Sequence, residues 1–262
     1  MPRGSPRERF DRILAKILPK TLRAQEDLER WYISLRCEID PAVVELHDYV
    51  DAWLTREKER VRKRERSTRD VWIIFPDDAA QRTKTLESLR TKLGRDFLKK
   101  PPGRRLSCAE VEERIRRMPD LARFRIVCDF SSDVEHLLDR LLVQVDEGTR
   151  FGRYEVRGPI KDYVNDLSLR DPRRGHRARQ FAVAVPVPRS RRFVLVEIQI
   201  MTLLQHAWDR RNHAVYEWSR CGGELPACLC INDVALAETL HLVDRQAAEN
   251  WQEFLRLTRQ SS

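Results

Sequence analysis

Apolar residues recur at helical spacing along the early part of the chain, from residue 6 to about residue 69. They stand at helical intervals among charged residues, as at Ile13, Ile17, Leu28, Leu35 and Val50. This spacing predicts a helical N-terminal segment. Its tail, residues 56–69, is almost wholly charged, which is typical of a solvated helix end or of a partner-binding arm.

Strand patterns appear in the middle of the chain. The apolar run at 124–130 predicts a buried strand, and the apolar stripe over 133–145 predicts a helix that follows it. Two further strands, at 181–187 and 193–200, are separated by a short basic turn, which favours an antiparallel hairpin over a crossover. This part of the chain therefore predicts a sheet that contains a hairpin.

Helical spacing returns over 203–218 and 234–257. The whole pattern predicts an α+β fold, in which a mixed and mostly antiparallel sheet is flanked by helices, with helical extensions at both ends. We expect a charged helical N-terminal extension over 1–70, a core over 71–220 and a C-terminal helical segment over 221–262.

Composition narrows the ligand class. The 262 residues carry a net charge of +9, which favours a polyanionic ligand such as a nucleotide, RNA or an acidic surface. The six cysteines show no paired spacing, which argues against a zinc cage and is typical of free thiols in a reducing cytosol. Because no apolar run approaches the ~20 residues of a membrane span, we expect a cytoplasmic protein with no membrane partner.

Glu197 lies in the middle of an otherwise apolar strand and shares one strand face with Gln199. A buried and unpaired carboxylate costs several kcal/mol, so this position requires a cation, a metal or an open cleft. A salt bridge to a nearby arginine is the structural alternative. Asp120 stands just before the first buried strand, on which Arg123 and Arg125 alternate. Two such carboxylates can share Mg²⁺, whereas an isolated aspartate here is more often a cap or turn residue.

Residues 82–93 have the pattern of a loop that enters a helix, and basic and hydroxyl side chains follow one face of this segment. Lys84, Ser88 and Lys92 stand at i, i+4 and i+8, which makes them a candidate ladder for phosphates. Arg82 could lie flat on a purine base. The alternative is a basic face that only contacts solvent.

Taken in order, four motifs resemble the synthetase domain of the RelA/SpoT family of (p)ppGpp synthetases, of the small or toxic alarmone synthetase type. They are Arg-x-Lys-x-x-x-Ser-x-x-x-Lys, Asp-Leu-Ala-x-x-Arg, Gly-His-Arg and Glu-Ile-Gln-Ile-x-Thr, within residues 77–257. The last motif is the most specific, because it is followed by a family-like helix segment with His206, Trp208, His213 and Tyr216.

The resemblance implies a role for each motif residue. Asp120 and Glu197 would hold Mg²⁺, and Glu197 would also accept the proton of the acceptor hydroxyl. The residues implied in ATP binding are Arg82, Lys84, Ser88, Lys92 and Arg125, with the two arginines on the adenine. The residues implied in acceptor binding are Lys161, Arg174, Gly175, His176, Arg177 and Gln199.

Four positions depart from the family pattern. His176 replaces the tyrosine that stacks on the acceptor base, Arg179 replaces an apolar residue, Gln180 a histidine and Met201 an arginine. Histidine still stacks on a base, but it offers less area and a titratable ring.

The activity that the resemblance implies is ATP-dependent transfer of the β,γ-pyrophosphate of ATP to the ribose 3′-hydroxyl of GDP or GTP. Two alternatives stay open. In one, a toxin uses the same chemistry on adenine nucleotides or on the 3′ end of tRNA, with an antitoxin protein as a partner. In the other, an inactive homologue binds nucleotide or RNA. The pair His47-Asp48 is similar to the family's hydrolase motif, but no other N-terminal histidine accompanies it, so we expect no hydrolase and a helix-surface His47.

Overall fold

Two helices form the N-terminal part of the chain in the computed structural model, which describes residues 6–65, 72–75, 83–145, 148–165, 176–220 and 226–260. Helix α1 spans Pro6–Ile17 and helix α2 spans Gln25–Glu65, with a 3₁₀ turn at Lys20–Leu22 between them. Residues at helical spacing in α2 are buried, including Leu28, Leu35, Leu46 and Val50. The predicted N-terminal helical segment is therefore present.

The charged tail of α2 is more buried than the sequence indicated. Val61 is 2% exposed and Glu57 is 3% exposed. Glu57 lies 3.0 Å from His136 Nε2 and 3.6 Å from Arg140 Nε. Burial opposes the charge of Glu57, but hydrogen bonds from Arg60 and His136 outweigh it, so the pKa of Glu57 lies below its ordinary value. One stripe of this tail, formed by Glu57, Val61 and Glu65, is therefore buried, while its other faces are exposed or partly exposed as predicted. Residues 66–69 lie outside the described residues.

The described residues also form the helices α3 (Leu86–Lys99), α4 (Cys108–Arg116), α5 (Ser131–Leu141), α6 (Leu203–Arg220) and α7 (Ala227–Gln260). The two C-terminal helices match the prediction, and α7 begins earlier than its apolar spacing indicated. No helix among the described residues is both long enough and apolar enough to cross a membrane.

The strands are β1 (Trp72–Phe75), β2 (Ala122–Cys128), β3 (Leu142–Val145), β4 (Gly148–Phe151), β5 (Tyr154–Asp162), β6 (Arg179–Pro186) and β7 (Phe193–Thr202). They follow the order β1-β2-β7-β6-β5-β4-β3 in the sheet. β1 pairs antiparallel with β2, with Trp72 opposite Cys128, and β4 pairs antiparallel with both β3 and β5. The predicted fold class, a mostly antiparallel sheet flanked by helices, is confirmed.

One predicted helix ends early. The apolar stripe over 133–145 indicated a helix throughout, but α5 ends at Leu141 and the next four residues form β3. β3 pairs with β4, with Leu142 opposite Phe151. Pairing with a neighbouring strand here overrides a spacing that suits either structure. The strands β1, β4 and β5 were not predicted.

The chain divides into two compact units. The first comprises Met1–Leu46, Asp78–Arg123 and Ala184–Glu197. Within it, α1 packs closely on α3: a Cβ added at Gly94 would lie 2.6 Å from Phe10 Cβ. A side chain at Gly94 would therefore push the two helices apart.

The second unit comprises His47–Asp77, Phe124–Val183 and Ile198–Ser262. Within it, α7 is tied to the end of β7, because Thr202 donates a hydrogen bond to the buried Asp244. The Phe130 ring also stacks on Trp251 of α7, with 5.8 Å between ring centroids. His47 is half-buried with its ring edge towards Phe124, so the expectation of a helix-surface histidine is wrong.

Candidate active site

Asp120 lies between two lysines just before β2. Its Oδ2 is 3.3 Å from Lys84 Nζ, and its Oδ1 is 3.6 Å from Lys92 Nζ. The Asp120 side chain is only 16% exposed. The structure therefore brings together one carboxylate and two of the three residues of the predicted phosphate ladder.

The lysines decide the charge of Asp120. Burial disfavours the carboxylate form, but Lys84, Lys92 and Arg123 together outweigh burial and hold the pKa of Asp120 below its ordinary value. Asp120 Oδ1 is buried and accepts no hydrogen bond from a described residue. An ionised oxygen in this state has a free ligand position for a hard cation.

Glu197 is buried in β7 and forms an ion pair with Arg123 of β2. The structural alternative for Glu197, a salt bridge to an arginine, is therefore present. The positive charge of Arg123 also lowers the pKa of Asp120, so this guanidinium interacts with both predicted metal ligands. Its side chain is 38% exposed, which leaves it accessible to solvent or to a ligand.

The segment that carries Lys84 is held from two sides. The Lys84 N–H donates to the Leu121 carbonyl at 2.8 Å, next to Asp120. On the other side, the Tyr32 hydroxyl of α2 donates to the Lys84 carbonyl at 2.6 Å, and Thr83 donates to Asp40 at 2.8 Å. Helix α2 therefore fixes the backbone from which Lys84 reaches Asp120, a contact that no sequence motif predicted.

Helix α3 begins directly after this segment. Thr85 is its N-cap, and its side chain accepts from the Ser88 N–H at 3.3 Å. Leu89 and Leu93 are buried, which turns Lys92 to the other face of the helix. A helix start with backbone donors beside two lysines is suited to an anion such as phosphate.

A second cluster lies in the second unit and centres on Asp209 of α6. Arg125 donates through Nε to Gln199 Oε1 at 3.0 Å and forms an ion pair with Asp209 through Nη2. His176 Nδ1 lies 3.1 Å from Asp209 Oδ1. Asp209, a residue that the motifs did not single out, thus contacts two predicted site residues, Arg125 and His176, and Gln199 joins the cluster through Arg125.

Nearby charges also affect His206, which is buried in α6. Burial and then the charges of Arg125 and Arg210 hold the pKa of His206 below its ordinary value. The neutral imidazole is therefore favoured at this position.

The remaining predicted acceptor residues are placed differently. Arg177 is buried: it donates to the Val164 carbonyl at 3.3 Å and forms an ion pair with Glu238 of α7. Lys161 is half-buried near the end of β5. Arg82, Arg174 and Gly175 lie outside the described residues.

The departures from the family pattern have partners of their own. Arg179 forms ion pairs with Asp162 and Glu135, and Met201 is 2% exposed. Both side chains therefore serve the packing and charge balance of the second unit.

The described residues offer only small sets of side chains that could bind a metal ion. No cluster of three or more His, Cys, Asp or Glu side chains occurs in this part of the chain. The available carboxylates are Asp120 and Glu197, which both neighbour Arg123. Such a pair suits an ion that takes its other ligands from substrate phosphates and water.

Comparisons with known proteins agree with the motifs. No family model matches the chain. It is 27% identical over 167 residues to the GTP pyrophosphokinase YwaC of Bacillus subtilis strain 168, which covers 63% of this chain and 69% of that protein.

Solved structures share the fold. Small alarmone synthetase 1 of Bacillus subtilis, bound to its product pppGpp, matches with a TM-score of 0.61 and 21% identity, over 88% of this chain and 100% of that chain. A GTP pyrophosphokinase family protein of Streptococcus pneumoniae matches with a TM-score of 0.59 and 19% identity, over 87% and 96%. The predicted resemblance to small alarmone synthetases of the RelA/SpoT family is confirmed.

Proposed function

We propose that this chain is an ATP-dependent pyrophosphotransferase that moves the β,γ-pyrophosphate of ATP to the ribose 3′-hydroxyl of GDP or GTP. The observation that carries the proposal is Asp120 between Lys84 and Lys92, with the buried Glu197 on the shared neighbour Arg123. The similarity to a GTP pyrophosphokinase supports the same activity.

The carboxylates fit a divalent cation, for which Mg²⁺ is our choice. Asp120 Oδ1 is buried without a hydrogen-bond donor among the described residues, and Glu197 supplies a second carboxylate. When bound, the ion would neutralise phosphate charge and orient the pyrophosphate group. We assign its protein ligands to Asp120 and Glu197.

Lys84 and Lys92 bind the ATP phosphates in this proposal, and the start of α3 around Ser88 adds donors. Their ammonium groups face Asp120. When ATP binds, each lysine would interact with both the Asp120 carboxylate and a phosphate. Phosphoryl transfer depends mainly on such positioning and charge neutralisation.

Glu197 accepts the proton of the acceptor 3′-hydroxyl. The new bond joins that oxygen to the β-phosphorus of ATP, the bond between the α,β-bridging oxygen and the β-phosphorus breaks, and AMP leaves with that oxygen. Arg123 supplies the opposite charge that a buried carboxylate requires before it takes the proton.

The base-binding roles fall to the second cluster. Arg125 is held by Gln199 and Asp209, and in this proposal its guanidinium stacks on the adenine, with Arg82 on the other side. His176 stacks on the acceptor base, and Lys161 and Arg174 bind acceptor phosphates. Gly175 and Arg177 shape the acceptor loop, and the buried ion pair of Arg177 suits such a supporting role.

An acceptor panel tests the proposal. The full chain is incubated with ATP labelled at the γ-phosphate, Mg²⁺, and GDP, GTP, AMP, ATP or bulk tRNA in turn, with Glu197→Gln as the inactive control. We expect labelled product with GDP or GTP and release of AMP. No product with any acceptor would overturn the proposal in favour of an inactive homologue.

His176 is the reason to include a second class of acceptor, adenine nucleotides and tRNA, in the test. It stands where the family has tyrosine, so the base-stacking surface differs from that of a guanine-specific relative. Label on an adenine nucleotide or on tRNA alone would assign the same chemistry to a toxin, whose partner would be an antitoxin protein.

A further inference from the structure

Asp209 uses its two carboxylate oxygens for two different residues. Oδ2 forms an ion pair with Arg125, and Oδ1 lies 3.1 Å from His176 Nδ1. The side chains of Asp209, Arg125 and His176 are 22%, 20% and 25% exposed, respectively, so all three are partly shielded from solvent but accessible to a ligand. One carboxylate thus joins two residues that separate sequence motifs assign to base recognition.

Both partners of Asp209 are held at a second point as well. The Arg125 Nε donates to Gln199, so the guanidinium plane is fixed along two edges. The His176 ring meets the edge of Tyr163 with 5.4 Å between centroids. A planar group held at two points loses little further freedom when a base stacks on it.

We propose that Asp209 is a positioning residue that orients Arg125 for the adenine of ATP and His176 for the acceptor base. The inference rests on the proposed function and adds a residue through which the two base contacts depend on each other. An ordinary exposed ion pair joins two side chains and contributes little. Here a single substitution disturbs two recognition contacts together.

The chemistry of the side chain predicts graded variants. Asparagine has one acceptor oxygen and no charge, so Asp209→Asn keeps one partner at most. Alanine keeps neither. Glutamate restores the charge and both oxygens on a longer stem, so Asp209→Glu should recover part of the lost function.

The first experiment measures KM for ATP, KM for the acceptor and kcat in the full chain. We expect Asp209→Ala to raise both KM values by about 5- to 50-fold, the size of one lost charge-assisted contact, with a smaller change in kcat. Asp209→Asn should fall between alanine and wild type. The exposed Asp51 gives a matched control, Asp51→Asn, which should behave as wild type.

The second experiment is a double-mutant cycle with His176→Ala. If Asp209 acts through His176, the two changes together raise the acceptor KM by less than the product of their separate effects. Independent effects, or an Asp209→Ala variant with unchanged KM values and an unchanged melting temperature, would overturn the inference.

A third measurement separates this inference from the proposed function. Titration with a non-hydrolysable ATP analogue needs no turnover, and Asp209→Ala should weaken its binding by the same factor as KM. A wild type that binds the analogue but transfers no pyrophosphate refutes the proposed function alone. Equal analogue binding in both proteins refutes the role of Asp209.

Discussion

The Tyr32 hydroxyl donates a hydrogen bond to the main-chain carbonyl of Lys84 at 2.6 Å. Tyr32 is 3% exposed, and burial, opposed by Arg36 and aided by Asp40, raises its pKa to about 12. The phenol therefore stays protonated and keeps donating throughout the neutral pH range. A residue of the N-terminal helix in this way fixes the backbone of a lysine predicted to bind ATP.

Tyr32→Phe removes this donor and leaves a carbonyl without its partner. We expect a loss of about 1 to 2 kcal/mol in the free energy of unfolding, and a KM for ATP raised by several-fold. Denaturant unfolding and steady-state kinetics measure the two effects. Tyr154→Phe is the matched control, because that buried hydroxyl contacts Arg153. If both variants change the ATP KM equally, the Tyr32 contact has no special role.

Asp120→Asn and Glu197→Gln each remove a carboxylate assigned to metal binding and, for Glu197, to proton transfer. We expect either change to lower the transfer rate by at least about 100-fold. Circular dichroism should show the fold retained, since the volume of each side chain is unchanged. Glu59→Gln, at an exposed position of α2, is the control. Near-normal turnover in both site variants is incompatible with the proposed mechanism.

Lys92→Ala removes one of the two ammonium groups beside Asp120. We expect about tenfold weaker binding of ATP, the scale of one charge-assisted phosphate contact. The buried face of α3 is untouched, so the melting temperature should change little. Lys99→Ala, at an exposed site in the last turn of the same helix, is the control. Equal ATP affinity in the two variants would remove Lys92 from the site.

His176→Ala should reduce acceptor affinity by about 1 to 3 kcal/mol if the ring stacks on a base. His176→Tyr enlarges the stacking surface, so it should preserve or raise affinity for a guanine nucleotide. Acceptor titrations of the three proteins measure this directly. Three superimposed curves would mean that this side chain does not read the base.

Asp244 should make the stability of the protein depend on pH. Burial, partly offset by the hydrogen bond from Thr202 and by the nearby Gln205, raises its pKa from 3.8 to about 6. Because the native state holds this proton more tightly than the unfolded chain, the stabilisation is complete below about pH 4 and is lost as the pH rises to about 6.

Asp244→Asn removes this titration and keeps an oxygen that accepts from Thr202. Between pH 4 and pH 8, wild type should lose on the order of 2 to 3 kcal/mol of unfolding free energy relative to the variant. Denaturant unfolding at several pH values measures the difference, with the exposed Asp139→Asn as the control. A pH-independent difference between wild type and Asp244→Asn would contradict the raised pKa.

Local patterns predicted the elements whose burial is regular. The helical spacing of α2 and α6 and the apolar runs of β2, β6 and β7 each reflect a side-chain period that the fold preserves. The strands β1, β4 and β5 were missed for different reasons. β1 pairs with β2, which lies far along the chain. β4 buries only Phe151, and Gly158 and Pro159 interrupt β5, so neither strand shows a clear alternation of apolar residues. Leu142 shows a similar limit. The apolar spacing around it suits a helix or a strand, and only its pairing with Phe151 makes it part of a strand.

The same holds for the site residues: those within sequence motifs were predicted, and those that act through tertiary contacts alone were not. Lys92 and Asp120 were predicted from separate motifs, but their meeting is a tertiary contact that spacing alone does not give. Tyr32 and Asp209 were missed because neither belongs to a motif, and each reaches its partners across a large separation in sequence. By periodicity alone, Tyr32 is simply one more buried position on α2.

The buried Arg177 has a consequence for the order in which the protein is made. Its ion-pair partner Glu238 belongs to α7, which follows much later in the sequence. During synthesis, the loop of His176 and Arg177 leaves the ribosome well before the helix that completes its charge balance. A buried guanidinium without that carboxylate is strongly disfavoured. The segment around Arg177 should therefore settle only after α7 has emerged from the ribosome.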